Sequence, residues 1–237
     1  MIRPYAHHPG SAPPLARMGA VSPLAQLLHA LNQPLTGLQC SMEVALASPR
    51  TPEQYVRGLR EGLELTERMR ALVAAIREVA DEEEEKEKTE ELETTELNAL
   101  LREVVEDLGP IAEVRSVRLT LECPADGSSL AVLGGRRKLA AAVFRLLESA
   151  LGLAARGTAL RTETGATPAE AWIGIQWRAG SLGSEGFRPE LGLLVAQAGW
   201  ERVGAEWVRE RNDSLETVTV RLPRLMTRGG DTPGGLK

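Results

Sequence analysis

Between residues 24 and 45 the apolar side chains follow one another at alternating intervals of four and three residues. The series is Leu24, Leu28, Leu31, Leu35, Leu38, Met42 and Ala45. This spacing is typical of a helix whose a and d positions form an apolar seam against other helices. Ser22 and Pro23, just before it, suit the N-cap and the first helical turn. The sequence therefore predicts a long amphipathic helix that begins near residue 22.

A second amphipathic helix is predicted after a short break. The stretch "ASPRTPEQ" interrupts the first helix, and Thr51 and Pro52 begin the next one. Its apolar residues keep a similar period: Val56, Leu59, Leu63, Met69, Val73, Ile76 and Val79. Two helices joined by a short turn form an αα-hairpin, which alone leaves each seam half covered. Pairing of two hairpins in a homodimer, as a four-helix bundle, is the simplest way to bury the rest.

The remainder of the chain predicts an α+β domain. The acidic stretch 81–93 is interpreted as the solvated end of the second helix running into a linker. Beyond it, helices are predicted at 97–114, 138–156 and 189–199, and strands at 117–123, 130–133, 158–164, 171–177, 205–211 and 216–223. This order predicts a mixed sheet with helices packed on one face, a two-layer sandwich.

The predicted organisation has four parts, two of them domains. These are a disordered tail over 1–20, the hairpin over 21–90, the α+β lobe over 91–225 and a second disordered tail over 226–237. No apolar run approaches the ~20 residues that span a bilayer, so we expect no membrane segment. The net charge of −5 without a dense Lys/Arg cluster argues against nucleic acid as a partner. Cys40 and Cys123 lack metal-type spacing and predict a reduced, cytoplasmic chain without a metal site.

The hairpin with "HALNQPLTGL" on its first helix, followed by this α+β order, resembles the bacterial sensor histidine kinases over roughly residues 22–223. The quoted string is similar to their histidine box. "LNALLREVVEDLGPIAEVRSVRLTLECP" is similar to the start of their ATP-binding lobe. "RRKLAAAVFRLLESAL" takes the place of their Asn-rich helix, and "ELGLLVAQAGW…TVTVRLP" resembles their Gly-rich closing segment.

The resemblance implies that His29 is the phosphoacceptor. Because Leu28 and Leu31 are seam positions, we expect His29 to lie beside the core, on the outward side of the helix. Pro34 is expected to bend the helix one turn further along and to free a backbone carbonyl. Asn32 and Gln33 lie within a turn of His29, where they either orient a bound receiver or water, or are simply solvated.

Several residues that the resembled family uses for ATP are replaced in this chain. Ala30 stands where the family has an acidic residue that takes the imidazole proton. Arg145 and Ser149 in "RLLES" replace the two Asn residues that hold Mg²⁺. Arg178 in "RAG", which ends at Gly180, replaces the Asp that accepts from adenine. The loop from Gly180 to Leu191 is short for a lid, and only a remnant of the second glycine box survives around Gly192. We therefore expect the lobe to keep its fold without binding ATP or Mg²⁺.

Three functions remain open from the sequence. The first is histidine phosphotransfer between response-regulator receiver domains, for which the hairpin needs only a neutral, exposed histidine. The second is a non-catalytic pseudokinase scaffold that regulates a kinase or a receiver. The third, which the replaced residues disfavour, is an active ATP-dependent histidine kinase. The sequence alone leaves open whether the protein is an enzyme.

Overall fold

A computed structural model describes residues 22–84, 93–124, 130–180 and 187–224. It begins with the predicted hairpin, helices α1 (Pro23–Ala47) and α2 (Pro52–Glu84). The hydroxyl of Ser22 accepts a hydrogen bond from the backbone N–H of Ala25 at 3.2 Å, which caps α1. α1 continues as one helix through Pro34. The tails predicted over 1–20 and 226–237 and most of the predicted linker lie outside the described residues.

The rest of the chain forms the predicted α/β lobe. Its elements are β1 (Thr94–Glu96), α3 (Leu97–Arg115), β2 (Arg118–Glu122), β3 (Ala131–Leu133), α4 (Arg136–Leu153), β4 (Ala159–Ala166), β5 (Glu170–Arg178), α5 (Phe187–Arg202), β6 (Glu206–Asn212) and β7 (Leu215–Pro223). The sequence predicted these helices and strands to within a few residues, except β1. This short strand pairs antiparallel with β3 in a separate two-stranded sheet.

The main sheet has five strands in the order β2-β4-β5-β7-β6. β2 and β4 are parallel, and the other neighbours are antiparallel. Alternate residues of the central strands, such as Ile173, Ile175 and Trp177, are buried in one apolar core with α3, α4 and α5. The helices therefore cover one face of a mixed sheet, which confirms the predicted two-layer sandwich.

Burial along α1 differs from the heptad prediction. Leu27, which lies outside the predicted seam, is 0% exposed, whereas the seam residue Leu28 is 48% exposed. Leu35 and Met42 are exposed as well. The reason is that α1 packs against α5 of the lobe as well as against α2, so a neighbouring stripe of α1 is covered. Leu28 is therefore open in the single chain, and its predicted core position depends on the second hairpin of the predicted dimer.

α2 shows the same division between a covered and an open stripe. Leu72, Ala75 and Val79 are buried, whereas Leu59 and Leu63 are 70% and 67% exposed. The hairpin thus keeps an apolar surface that the described parts of the chain do not cover. None of the helices in the described ranges is long and apolar enough to cross a bilayer.

Candidate functional site

His29 is exposed on α1, near the end of the hairpin on which the lobe packs. Asn32 and Gln33 are exposed beside it, and Pro34 is buried. The hydroxyl of Thr36 donates to the backbone carbonyl of Asn32 at 2.9 Å. The outward position predicted for His29 is therefore present, although it arises from the burial of Leu27 rather than of Leu28. An exposed neutral imidazole can act as a nucleophile toward an approaching partner.

An apolar cluster joins the hairpin to α5 on the side of α1 next to His29. We call it the hairpin–lobe cluster, and its buried members are Leu27, Leu72, Ala75, Val79, Leu191, Val195 and Ala198. Ala30, the neighbour of His29, is partly buried and packs against this cluster. The position where the resembled family has an acidic residue is thus part of an apolar interface.

Charged side chains reinforce this contact between the hairpin and the lobe. Arg145 of α4 forms an ion pair with Glu78 of α2. Burial lowers the pKa of Arg202 on α5, and the nearby charge of Glu78 acts in the opposite direction. At the other end of α5, the guanidinium carbon of Arg68 lies 5.8 Å from the centroid of the Phe187 ring, a cation–π contact. Glu78 therefore faces two cations of the lobe.

Two further residues of the predicted nucleotide site pack against each other. Ser149 of α4 is buried, and its hydroxyl lies next to Gly192 of α5. A Cβ added at Gly192 would be 2.2 Å from the Ser149 Oγ, so α4 and α5 can approach this closely only with glycine there. These two residues therefore form a helix–helix contact.

Arg178 ends β5 and Gly180 follows two residues later, and the backbones of both are held against the C-terminal end of α4. The carbonyl of Arg178 accepts from the N–H of Ala155 at 2.8 Å, and the N–H of Gly180 donates to the carbonyl of Leu153 at 2.9 Å. The side chain of Arg178 is exposed. It offers hydrogen-bond donors and no acceptor.

The first turn of α5 is fixed to the sheet by a charged network. Glu216 of β7 is 0% exposed, and Arg209 and Arg211 of β6 each donate two hydrogen bonds to it. Arg209 also donates to both carboxylate oxygens of Glu190, at 2.8 and 3.0 Å. Burial lowers the pKa of Arg209, but its bonds to Glu190 and Glu216 outweigh this and raise the pKa overall. Sequence reasoning did not single out this network.

Several solved histidine kinases share this architecture. A histidine kinase from Burkholderia phymatum gives a TM-score of 0.50 at 17% identity, covering 84% of this chain and 97% of that one. The histidine kinase AdeS from Acinetobacter baumannii gives a TM-score of 0.52 at 16% identity, covering 82% of this chain and 97% of that one. The chain has the histidine kinase fold. The kinase ThkA, solved in complex with the response regulator TrrA, gives 0.54 at 15% identity, covering 85% of this chain and 60% of that one. No family profile matches the sequence, and no curated protein does.

The residues that replace the resembled family's nucleotide-binding residues differ from them in chemistry. Mg²⁺ needs well-placed oxygen ligands, whereas Arg145 supplies a cation that pairs with Glu78. The hydroxyl of Ser149 is an oxygen, but it is buried against Gly192. The side chain of Arg178 has no atom that accepts a hydrogen bond from an adenine amino group. Of the predicted site residues, the structure brings Ser149 and Gly192 together, whereas Arg145 joins the hairpin.

Sequence reasoning missed Leu27 and Glu78, two hairpin residues that contact the lobe through the apolar cluster and through an ion pair. Leu27 was visible only as an apolar residue beside the predicted seam. Glu78 was one acidic residue among many on α2, and nothing in the sequence related it to Arg145. Both become recognisable once α5 and α4 are placed against the hairpin.

Proposed function

We propose that this protein is a histidine phosphotransfer protein of two-component signalling, which passes a phosphoryl group between response-regulator receiver domains through His29. The observation that supports this most is the contrast between the two units. His29 is exposed on the hairpin, while Arg145, at the position where Mg²⁺ would be held, is paired with Glu78. The proposed reaction does not require this chain to bind ATP or Mg²⁺.

In the proposed reaction the hairpin supplies only the nucleophile, His29. The unprotonated ring nitrogen of His29 attacks the phosphorus of a receiver's aspartyl phosphate, the P–O bond to the carboxylate breaks and a P–N bond forms. The reverse reaction delivers the group to a second receiver. An acyl phosphate is already activated, and the receiver supplies its own Mg²⁺ and acidic cluster. Ala30 therefore need not act as a base.

The proposed active form is a homodimer joined through the hairpins. Its support is the open apolar stripe of α1 and α2, formed by Leu28, Leu35, Met42, Val56, Leu59 and Leu63. Contiguous exposed apolar surface of this kind marks an interaction site. A second copy fits it because antiparallel hairpins pair into four-helix bundles. We place the protein in the cytoplasm, in keeping with its free cysteines, Cys40 and Cys123.

Two incubations test the proposal. The protein is mixed with receiver domains carrying labelled phosphate, and separately with labelled ATP and Mg²⁺. We expect acid-labile label from the receivers and none from ATP. Label from ATP would replace the proposal with an active kinase. No label from any receiver, combined with stable binding of a receiver or a kinase, would replace it with a pseudokinase scaffold.

A further inference from the structure

Two of the residues that differ from the resembled family's ATP-site pattern also form part of the contact between the hairpin and the lobe. Ala30 packs against the hairpin–lobe cluster, and Arg145 forms the ion pair with Glu78. A carboxylate at position 30 would enter an apolar interface, where an unpaired charge is costly. The absence of the acidic residue and the presence of the arginine therefore serve one structural purpose.

The two kinds of contact contribute differently to this interface. Leu27, Leu72 and Val79 are almost fully buried, and their burial supplies most of the attraction. Arg145 and Glu78 are 36% and 35% exposed, so their ion pair is screened by solvent and adds little affinity. Its contribution is directional, because α4 and α2 must lie in one relative position for the two side chains to meet.

We propose that the lobe is locked onto the hairpin in a single orientation, with Ala30, Glu78 and Arg145 as the positioning residues. The lobe then stays in one position beside His29 and does not move toward the histidine as a separate domain. This inference goes beyond the proposed function, since it holds whether or not His29 accepts a phosphoryl group. Its prediction concerns the distance between hairpin and lobe, which phosphotransfer does not measure.

The chain carries a natural pair of label positions for this test. Cys40 lies on α1 and is exposed, and Cys123 follows β2 in the lobe and is partly exposed. Spin labels on both cysteines report the separation of the two units by double electron–electron resonance. Dilution with excess unlabelled protein isolates the distance within one chain if the protein is dimeric. We expect one narrow distance for the wild type, and two or more separate distances would overturn the proposal.

Ala30→Glu is expected to add a second, broad population in which the lobe has left the hairpin. Val195→Glu introduces the same charge into the cluster from α5 and should act alike, which guards against a folding defect specific to α1. Ala25→Glu is the matched control, because Ala25 is exposed on the same helix, and it should keep the single distance. An unchanged narrow distance in both Ala30→Glu and Val195→Glu would contradict the proposal that this interface holds the lobe on the hairpin.

The ion pair is tested in the Ala30→Glu background, where both populations are measurable. Glu78→Arg should lower the ratio of docked to undocked chains about two- to fivefold, the range for a half-exposed pair. Adding Arg145→Glu should restore part of that ratio. The recovery is partial because the arginine introduced at residue 78 also faces Arg202. Glu67→Arg, in the exposed pair with Arg70, is the control and should leave the ratio unchanged. If Glu78→Arg does not lower the ratio of docked to undocked chains, or if Arg145→Glu does not raise it again, the ion pair does not position the lobe.

Discussion

Ser149 and Gly192 hold α4 and α5 together through a contact that leaves no room for a side chain at residue 192. A Cβ there would be 2.2 Å from the Ser149 Oγ and 3.3 Å from its Cβ. Because α5 also packs on the hairpin, the spacing of α4 and α5 sets where the lobe presents its hairpin-facing surface. A glycine that in the sequence looked like the remnant of a nucleotide motif has a packing role here.

Gly192→Ala should lower the free energy of unfolding by about 1–3 kcal/mol, because the added methyl group overpacks the helix contact. The double variant with Ser149→Ala should recover most of this loss, since the hydroxyl makes the shorter contact. Denaturant unfolding of the two single variants and the double variant measures the coupling. Gly199→Ala on the same helix is the control, where the nearest atom is 3.7 Å away. It should be neutral or slightly stabilising, and a loss equal to that of Gly192→Ala would argue against a specific contact.

Leu27→Ala should destabilise the protein by about 2–5 kcal/mol, the range for a large buried side chain truncated in a core. Leu28→Ala removes the same atoms from a half-exposed position and should cost well under half as much in the monomer. Urea unfolding of both variants in the Leu63→Asp background, which is expected to keep the chain monomeric, compares the two. A larger cost at Leu28 than at Leu27 in that monomer would contradict the packing of α1 on α5.

Periodicity and turn residues were enough to predict most of the fold. The spacing of apolar residues predicted both hairpin helices, and Ser22 and Thr51 marked their starts. β1 was missed because its three residues, Thr94–Glu96, are too few to show an alternating pattern. They form a strand because they pair with β3. Leu27 was missed because heptad spacing describes helices of one bundle, whereas α5 approaches from a distant part of the chain.

For the candidate site, local sequence supplied the candidate and tertiary packing supplied its surroundings. His29 was proposed from the resemblance of its string to a histidine box, and its predicted exposure agrees with the structure. The pairing of Arg145 with Glu78 was not predictable, because the two residues belong to different units and meet only through tertiary packing. The sequence predicted that Arg145 does not hold Mg²⁺, and the structure adds its ion-pair partner, Glu78.

Glu216→Ala should lower the free energy of unfolding by about 2–3 kcal/mol, because Arg209 and Arg211 lose a carboxylate to which both donate. Arg209 keeps its bonds to Glu190, which limits the loss. Glu206→Ala is a matched control on the same pair of strands, since Glu206 pairs with Arg221 at the surface. It should change stability by no more than about 0.5 kcal/mol. Equal effects would mean that the burial of Glu216 is energetically unimportant.

The hairpin surface predicts a homodimer that Leu63→Asp weakens. Leu63 lies on the open stripe of α2 with Leu59, and a charge there would be buried against the second copy. Sedimentation at micromolar concentration should show a dimer for the wild type and a shift toward monomer for the variant. Val114→Asp is the control, because Val114 is 80% exposed on α3 of the lobe. A wild type that sediments as a stable monomer would contradict the proposed bundle.

The central claim is that His29 accepts and returns a phosphoryl group, and labelling from a phosphorylated receiver domain tests it most directly. His29→Ala removes an exposed side chain and should change stability by well under 1 kcal/mol, so a folded dimer of the variant is a fair comparison. The wild type should gain acid-labile, base-stable label from the receiver and lose it to a second receiver, while His29→Ala gains none. Equal labelling of the two proteins would place the phosphoacceptor elsewhere and contradict the account.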